Sequence, residues 1–108
     1  MDRLEVQNKI EELFKQGLEK EELKKKMLEI YIEYAESQGI KMNPDEKRVD
    51  IILEGLVRKK DMNGKFYCPC RILEGNDEKD DPKVCPCLWH LDEIKNDGMC
   101  HCQLFARL

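Results

Sequence analysis

All six cysteines of this chain fall into three C-x-C pairs: Cys68-Pro69-Cys70, Cys85-Pro86-Cys87 and Cys100-His101-Cys102. No other feature of the sequence constrains the fold as tightly, because whatever joins these thiols also closes the loops between them. Proline fixes its own φ and pushes the residue before it towards extended geometry, so the first two pairs belong on turns and not inside helices. A disulfide within one C-P-C would close a small ring across a stiff proline, against the narrow geometric preferences of the S–S bridge. Bonds between different pairs are far easier.

Three arrangements use six thiols. Three structural disulfides would suit an oxidising compartment. The N-terminal stretch MDRLEVQNKIEELFKQG is charged throughout and has no apolar signal region, so it reads as no secretory leader and the expected compartment is the cytoplasm. A structural zinc would take four thiolates and leave two spare, but its knuckles are usually spaced more widely than these pairs. A [4Fe–4S] cluster also takes four thiolates, and the remaining two could form a redox-active disulfide beside it.

Composition narrows the partners. The net charge is −4 and the pI near 5.3, which offers nucleic acid no general attraction. No apolar run is long enough to span a membrane. With aromatics at 6%, the core has few large anchors and would gain from a metal or covalent staple. The length fits one domain over residues 1–108, with residues 1–20 as a candidate extra helix.

The first two-thirds reads as helical. Ile10, Leu13, Phe14 and Leu18 share one helix face, and Gly17 can end or bend it. From about Glu19 to Gln38, the residues Leu23, Met27, Ile30, Tyr31 and Tyr34 make a core-facing stripe, with Gly39 placed to terminate it. Lys24, Lys25 and Lys26 read as a solvated face. Asn43-Pro44-Asp45-Glu46 predicts an N-cap at Asn43 with proline in the first turn, followed by Val49, Ile52, Leu53 and Leu56 and an end near Lys60. Beyond Gly64, Glu74–Asp81 reads as an exposed loop and Leu88–Lys95 as two helical turns closed by Asn96-Asp97-Gly98.

Taken in order and at these separations, C-P-C, C-P-C and C-H-C resemble the catalytic chain of ferredoxin:thioredoxin reductase. The stretch NPDEKRVDIILEGLVRKKDMNGKFYCPCR resembles that family's helix and its approach to the first pair, and CHCQLF closes the motif in the family manner. The resemblance covers roughly residues 30–108, and the triple motif is highly specific. The departures lie in the loops: residues 88–99 look longer than in chloroplast-type members. The resemblance implies a mostly α, irregular fold, with N-terminal helices and a C-terminal cysteine-rich segment wrapped around a [4Fe–4S] cluster. It implies that Cys68, Cys85, Cys87 and Cys100 bind the cluster and that Cys70 and Cys102 form the active-site disulfide, with Cys70 the more exposed thiol. It further implies an enzyme that takes electrons from ferredoxin and delivers them to thioredoxin or a thioredoxin-like protein, and a small accessory subunit as a further partner. The alternatives are a non-catalytic zinc- or iron–sulfur-stabilised binding module and a simple electron carrier.

His101, between two of these cysteines, is a family feature, and imidazole exchanges protons near neutral pH. We read it as the proton donor and acceptor of the thiol pair. His90 reads as a surface or packing residue, and Trp89 as a shield or a docking residue. Arg58, Lys59, Lys60, Lys65 and Arg71 stand against Asp61 alone in residues 58–71 and form a candidate docking patch for an acidic ferredoxin.

Overall fold

The computed structural model describes residues 1–108 throughout. Helix α1 spans Arg3–Phe14, α2 Lys20–Gln38 and α3 Glu46–Asn63; a single turn, α4, covers Asp77–Asp80, and α5 covers His90–Asp97. Strands β1 (Lys41–Met42) and β2 (Phe105–Ala106) are two residues each and pair antiparallel, Lys41 opposite Ala106 and Met42 opposite Phe105. The chain is therefore mostly helical, with a cysteine-rich C-terminal region. No helix is long and apolar enough to cross a membrane.

The predicted stripes form the core. Val6, Ile10 and Leu13 of α1, Leu23, Met27, Tyr31 and Tyr34 of α2, and Val49, Ile52, Leu53 and Leu56 of α3 are all buried in one cluster. Asp2 caps α1 by accepting the Glu5 N–H, and α2 ends on Gly39 in left-handed geometry, φ +71°, where a Cβ would be strained.

Three local expectations are corrected. Helix α3 begins at Glu46, capped by Asp45 and not by Asn43, and runs on to Asn63. Asn43 is buried because its amide donates to Gln103 O at 2.9 Å, while its Oδ1 accepts the Asp45 N–H at 3.0 Å. It ties α3 to the segment after the third cysteine pair, a contact no local pattern reveals. Lys24 is not solvated: it is 4% exposed and its ammonium meets Glu54 at 2.8 Å, Asp50 at 3.1 Å and Glu21 at 3.2 Å. The acidic face of α3 turns towards α2 and encloses it. Glu74–Asp81 is exposed from Glu74 to Lys79, as expected, but it is organised around one carboxylate and includes a helical turn. The buried Asp80 carboxylate accepts the backbone N–H groups of Glu74, Gly75 and Asn76 and pairs with buried Lys83 at 2.9 Å.

The three cysteine segments are stitched by backbone bonds. The Cys68 N–H donates to Lys83 O at 2.8 Å and the Cys85 N–H to Phe66 O at 2.9 Å, which joins the first pair to the second. The third is a hairpin-like turn, with Cys100 N–H to Phe105 O at 3.1 Å and Gln103 N–H to Cys100 O at 2.8 Å, held against β1 through Asn43 N–H to Leu104 O at 2.9 Å. Gly55 in α3 lets the first pair approach: a Cβ there would stand 2.8 Å from the ring of Pro69.

Candidate functional site

The fold gathers all six cysteines and grades their exposure. Cys68, Cys85, Cys87 and Cys100 are 1–3% exposed, Cys102 is half-buried and Cys70 is exposed. All six are free thiols in this structure. Cys102 sits at the junction: its sulfur lies against Cys70, Cys68 and Cys100, the last at 3.8 Å. Cys68 in turn lies against Cys85 and Cys87. The exposed thiol thus connects to the buried four through one partner.

Thiol acidity follows from these contacts. Cys70 is held below its ordinary range because the Cys102 thiol donates to it, against partial burial and with help from the Arg71 charge. Cys102 is pushed up by donating to Cys100, Cys68 and Cys70. Cys87 is lowered to about 6 by the Cys68 thiol, then by the Trp89 N–H and Arg71, and Cys100 to about 7 by Cys102 and the N–H groups of Phe105 and Leu104. Burial, with nearby thiols, raises Cys85.

Arg71, directly after the first pair, is the most connected side chain here. Its guanidinium donates to Sγ of Cys87 at 3.5 Å, pairs with Glu93 at 2.5 Å and lies 4.8 Å from the centre of the Trp89 ring. The other oxygen of Glu93 accepts the His101 N–H at 2.9 Å. Glu93, on α5, therefore bridges the first and third cysteine segments. The His101 side chain is exposed and points into no hydrogen bond.

His90 is a packing residue and not a surface one. It is 1% exposed, with Nδ1 2.6 Å from Cys87 O and Nε2 2.7 Å from the Tyr34 hydroxyl. Nδ1 can only donate to a carbonyl; burial disfavours a second proton, so the ring is neutral and Nε2 accepts from the Tyr34 hydroxyl. Burial lowers its pKa accordingly. Tyr31, one turn back on α2, is completely buried, and its phenol is pushed well above the ordinary range by burial and by the neighbouring Cys85.

Of the basic residues in 58–71, Lys60 pairs with Glu11 at 2.7 Å, Lys65 with Asp81 at 2.5 Å and Arg71 with Glu93, while Arg58 and Lys59 carry no ion pair. Only the latter two present uncompensated charge. Helix α1 also serves the site. Arg3 Nε donates to Pro86 O at 2.7 Å and the Gln7 amide to Val84 O at 3.3 Å, which braces the second C-P-C from outside. Arg3, Gln7, Glu93 and Gly55 act through contacts distant in sequence and left no local signal, and the local signal at Asn43 pointed to a helix cap and not to Gln103. The position of Arg71 beside the first pair was such a signal, although its charge suggested an external partner.

No three His, Cys, Asp or Glu side chains surround a point in the manner of a single-ion site. The donor set nevertheless fits a thiolate-bound group. Four soft sulfurs are buried together, as iron–sulfur ligation requires, and two of them accept N–H donors, Cys87 from Arg71 and Cys100 from the Phe105 backbone at 3.4 Å. Such bonds stabilise ligated thiolates.

Comparison with known proteins places the sequence in a family. Residues 17–107 match the family described as ferredoxin thioredoxin reductase catalytic beta chain. The ferredoxin-thioredoxin reductase catalytic chains of Porphyra purpurea and Pyropia yezoensis are each 34% identical over 76 residues. The match covers 67% of this chain and 59% and 60% of those relatives, so the chain spans about three-fifths of their length.

Proposed function

Since the chain belongs to the ferredoxin thioredoxin reductase catalytic beta chain family, we propose that it is a disulfide reductase that draws electrons from a ferredoxin and passes them to a thioredoxin or thioredoxin-like protein in the cytoplasm. Cys68, Cys85, Cys87 and Cys100 would hold a [4Fe–4S] cluster, which when bound supplies electrons one at a time. The observation that carries the reading is the position of Cys102, in contact with exposed Cys70 on one side and with buried Cys68 and Cys100 on the other.

The thiol chemistry follows from that position. Cys70, exposed and easily deprotonated, attacks one sulfur of the acceptor disulfide. A Cys70–acceptor S–S bond forms, and the other acceptor sulfur leaves as a thiolate and takes a proton. Cys102 then loses its proton and attacks Cys70 Sγ. The Cys70–Cys102 bond forms and the second acceptor sulfur departs, also to be protonated. Two thiols of this chain have become one disulfide, and the acceptor disulfide has become two thiols. Two electrons from ferredoxin and two protons restore Cys70 and Cys102. His101, exposed beside Cys102, supplies and removes protons in these steps.

Arg71 supports the attack by favouring thiolate at Cys70, and Glu93 holds Arg71 and the His101 backbone together. Arg58 and Lys59 supply the positive field for an acidic donor, with Lys60, Lys65 and Arg71 restrained by their own ion pairs. A small accessory subunit is a further partner of this reading. The test is reduction of an oxidised thioredoxin by reduced ferredoxin. The protein accelerates it, and Cys70→Ser or Cys102→Ser abolishes turnover. Equal turnover in those variants would reject the proposal.

A further inference from the structure

Tyr31 is 0% exposed, and its hydroxyl has no hydrogen-bond partner. Buried polar groups without partners are rare and point to a role or to a missing group. The neighbouring Tyr34 shows the usual solution, since it donates to His90 at 2.7 Å. Tyr31 has sulfur for neighbours instead: Cys85 first, with Cys68 and Cys102 also near, none of them within hydrogen-bond geometry of its hydroxyl. Its ring cannot swing to solvent, because Phe105 packs edge-on against it at 5.9 Å and 81° and the hydroxyl lies at the end of a rigid side chain on α2.

The four buried thiols are not served alike. Cys87 receives N–H donors from Arg71 and Trp89, and Cys100 from Phe105 and Leu104. Cys85 receives no such N–H; it is buried among thiols, with the Tyr31 side chain beside it. A thiolate at Cys85 would supply the acceptor that Tyr31 lacks, and Tyr31 would supply the donor that Cys85 lacks.

We propose that Tyr31 is a positioning residue that donates an O–H···S hydrogen bond to Cys85 when this sulfur is ligated, and so sets the potential of the centre. The inference rests on the cluster reading above. Hydrogen bonds to ligand sulfurs draw off negative charge and favour the more reduced state, so they raise the reduction potential. No proton is transferred, since the O–H stays on Tyr31.

The experiment compares wild type, Tyr31→Phe and Tyr34→Phe, each purified anaerobically as the intact protein. Iron and sulfide per chain are measured, and the midpoint potential is followed by visible absorbance. Tyr31→Phe keeps its iron, and its midpoint moves negative by about a tenfold change in the reduction equilibrium, about 59 mV for one electron. Tyr34→Phe, which loses a hydroxyl bonded to nitrogen, does not move. Growth with 3-fluorotyrosine, a stronger donor of nearly the same shape, moves the midpoint positive and needs no variant to fold. A midpoint unmoved by fluorination, or by Tyr31→Phe with its iron intact, overturns the proposal and leaves the cluster reading standing. A wild-type protein without iron overturns both.

Discussion

Glu93 and Arg71 form a 2.5 Å ion pair that joins helix α5 to the residue following the first cysteine pair. Because the second Glu93 oxygen holds the His101 N–H, one carboxylate sets the relative position of Cys70 and Cys102. Both partners are 19% exposed, so solvent screens the pair only partly. Glu93→Ala is expected to cost about 1.5–3 kcal/mol of stability, the range for a hydrogen bond to a charged group, and to slow thioredoxin reduction. Glu93→Gln, which keeps an acceptor for His101, loses less. Denaturant unfolding and turnover read both effects, and full activity in Glu93→Ala would remove this bridge from the mechanism.

Exposure and acidity make Cys70 the first thiol to react. In the reduced protein, iodoacetamide is expected to label Cys70 ahead of the other five cysteines, as mass spectrometry of the digested protein would show. Cys102→Ala removes the thiol that donates to Cys70 and should slow this labelling several-fold at neutral pH, because the thiolate is the reactive form. Faster labelling in that variant would contradict the donor role of Cys102.

Asp80 carries a pH dependence whose sign is fixed. The N–H groups of Glu74 and Gly75, together with Lys83, hold its carboxyl down to about 2, whereas in the unfolded chain it titrates near ~3.9. Its contribution to stability is therefore fully present above about pH 4 and is lost as pH falls through about 2. Asp80→Asn should lower the denaturation midpoint at neutral pH and flatten its decline between about pH 4 and pH 2. An unchanged acid profile would show that Asp80 is not ion-paired in solution.

Arg58 and Lys59 are the basic residues of segment 58–71 without ion pairs. Charge reversal at both is expected to raise the KM for ferredoxin and reduce its salt dependence, while kcat changes little. Reversal at Lys60 should instead destabilise the fold, since Lys60 pairs with Glu11 and donates to Gly64 O at 2.9 Å. Equal KM values across salt concentrations would move donor docking to another face.

What the sequence made legible follows from how local each signal is. The stripe Leu23, Met27, Tyr31 and Tyr34 declares a helix because its period is written into four successive turns. The cysteine pairs declare a shared centre because their spacing leaves few alternatives. Lys24 looked solvated, and His90 could not be assigned between surface and core, because the deciding partners lie far along the chain: Glu54 and Asp50 for one, Tyr34 for the other. Asn43 had a plausible local use as a cap, and a partner at Gln103 took it instead. The brace from α1 was invisible for the same reason, although Arg3 and Gln7 reach the carbonyls on either side of Cys85.

The central claim is that the four buried thiols hold an iron–sulfur cluster while Cys70 and Cys102 stay free to cycle. Anaerobic purification followed by iron, sulfide and zinc analysis with a visible spectrum tests it most directly. The account predicts a brown protein with about four irons and four sulfides per chain and one disulfide reducible without loss of iron. A colourless protein with about one zinc and no sulfide would contradict it.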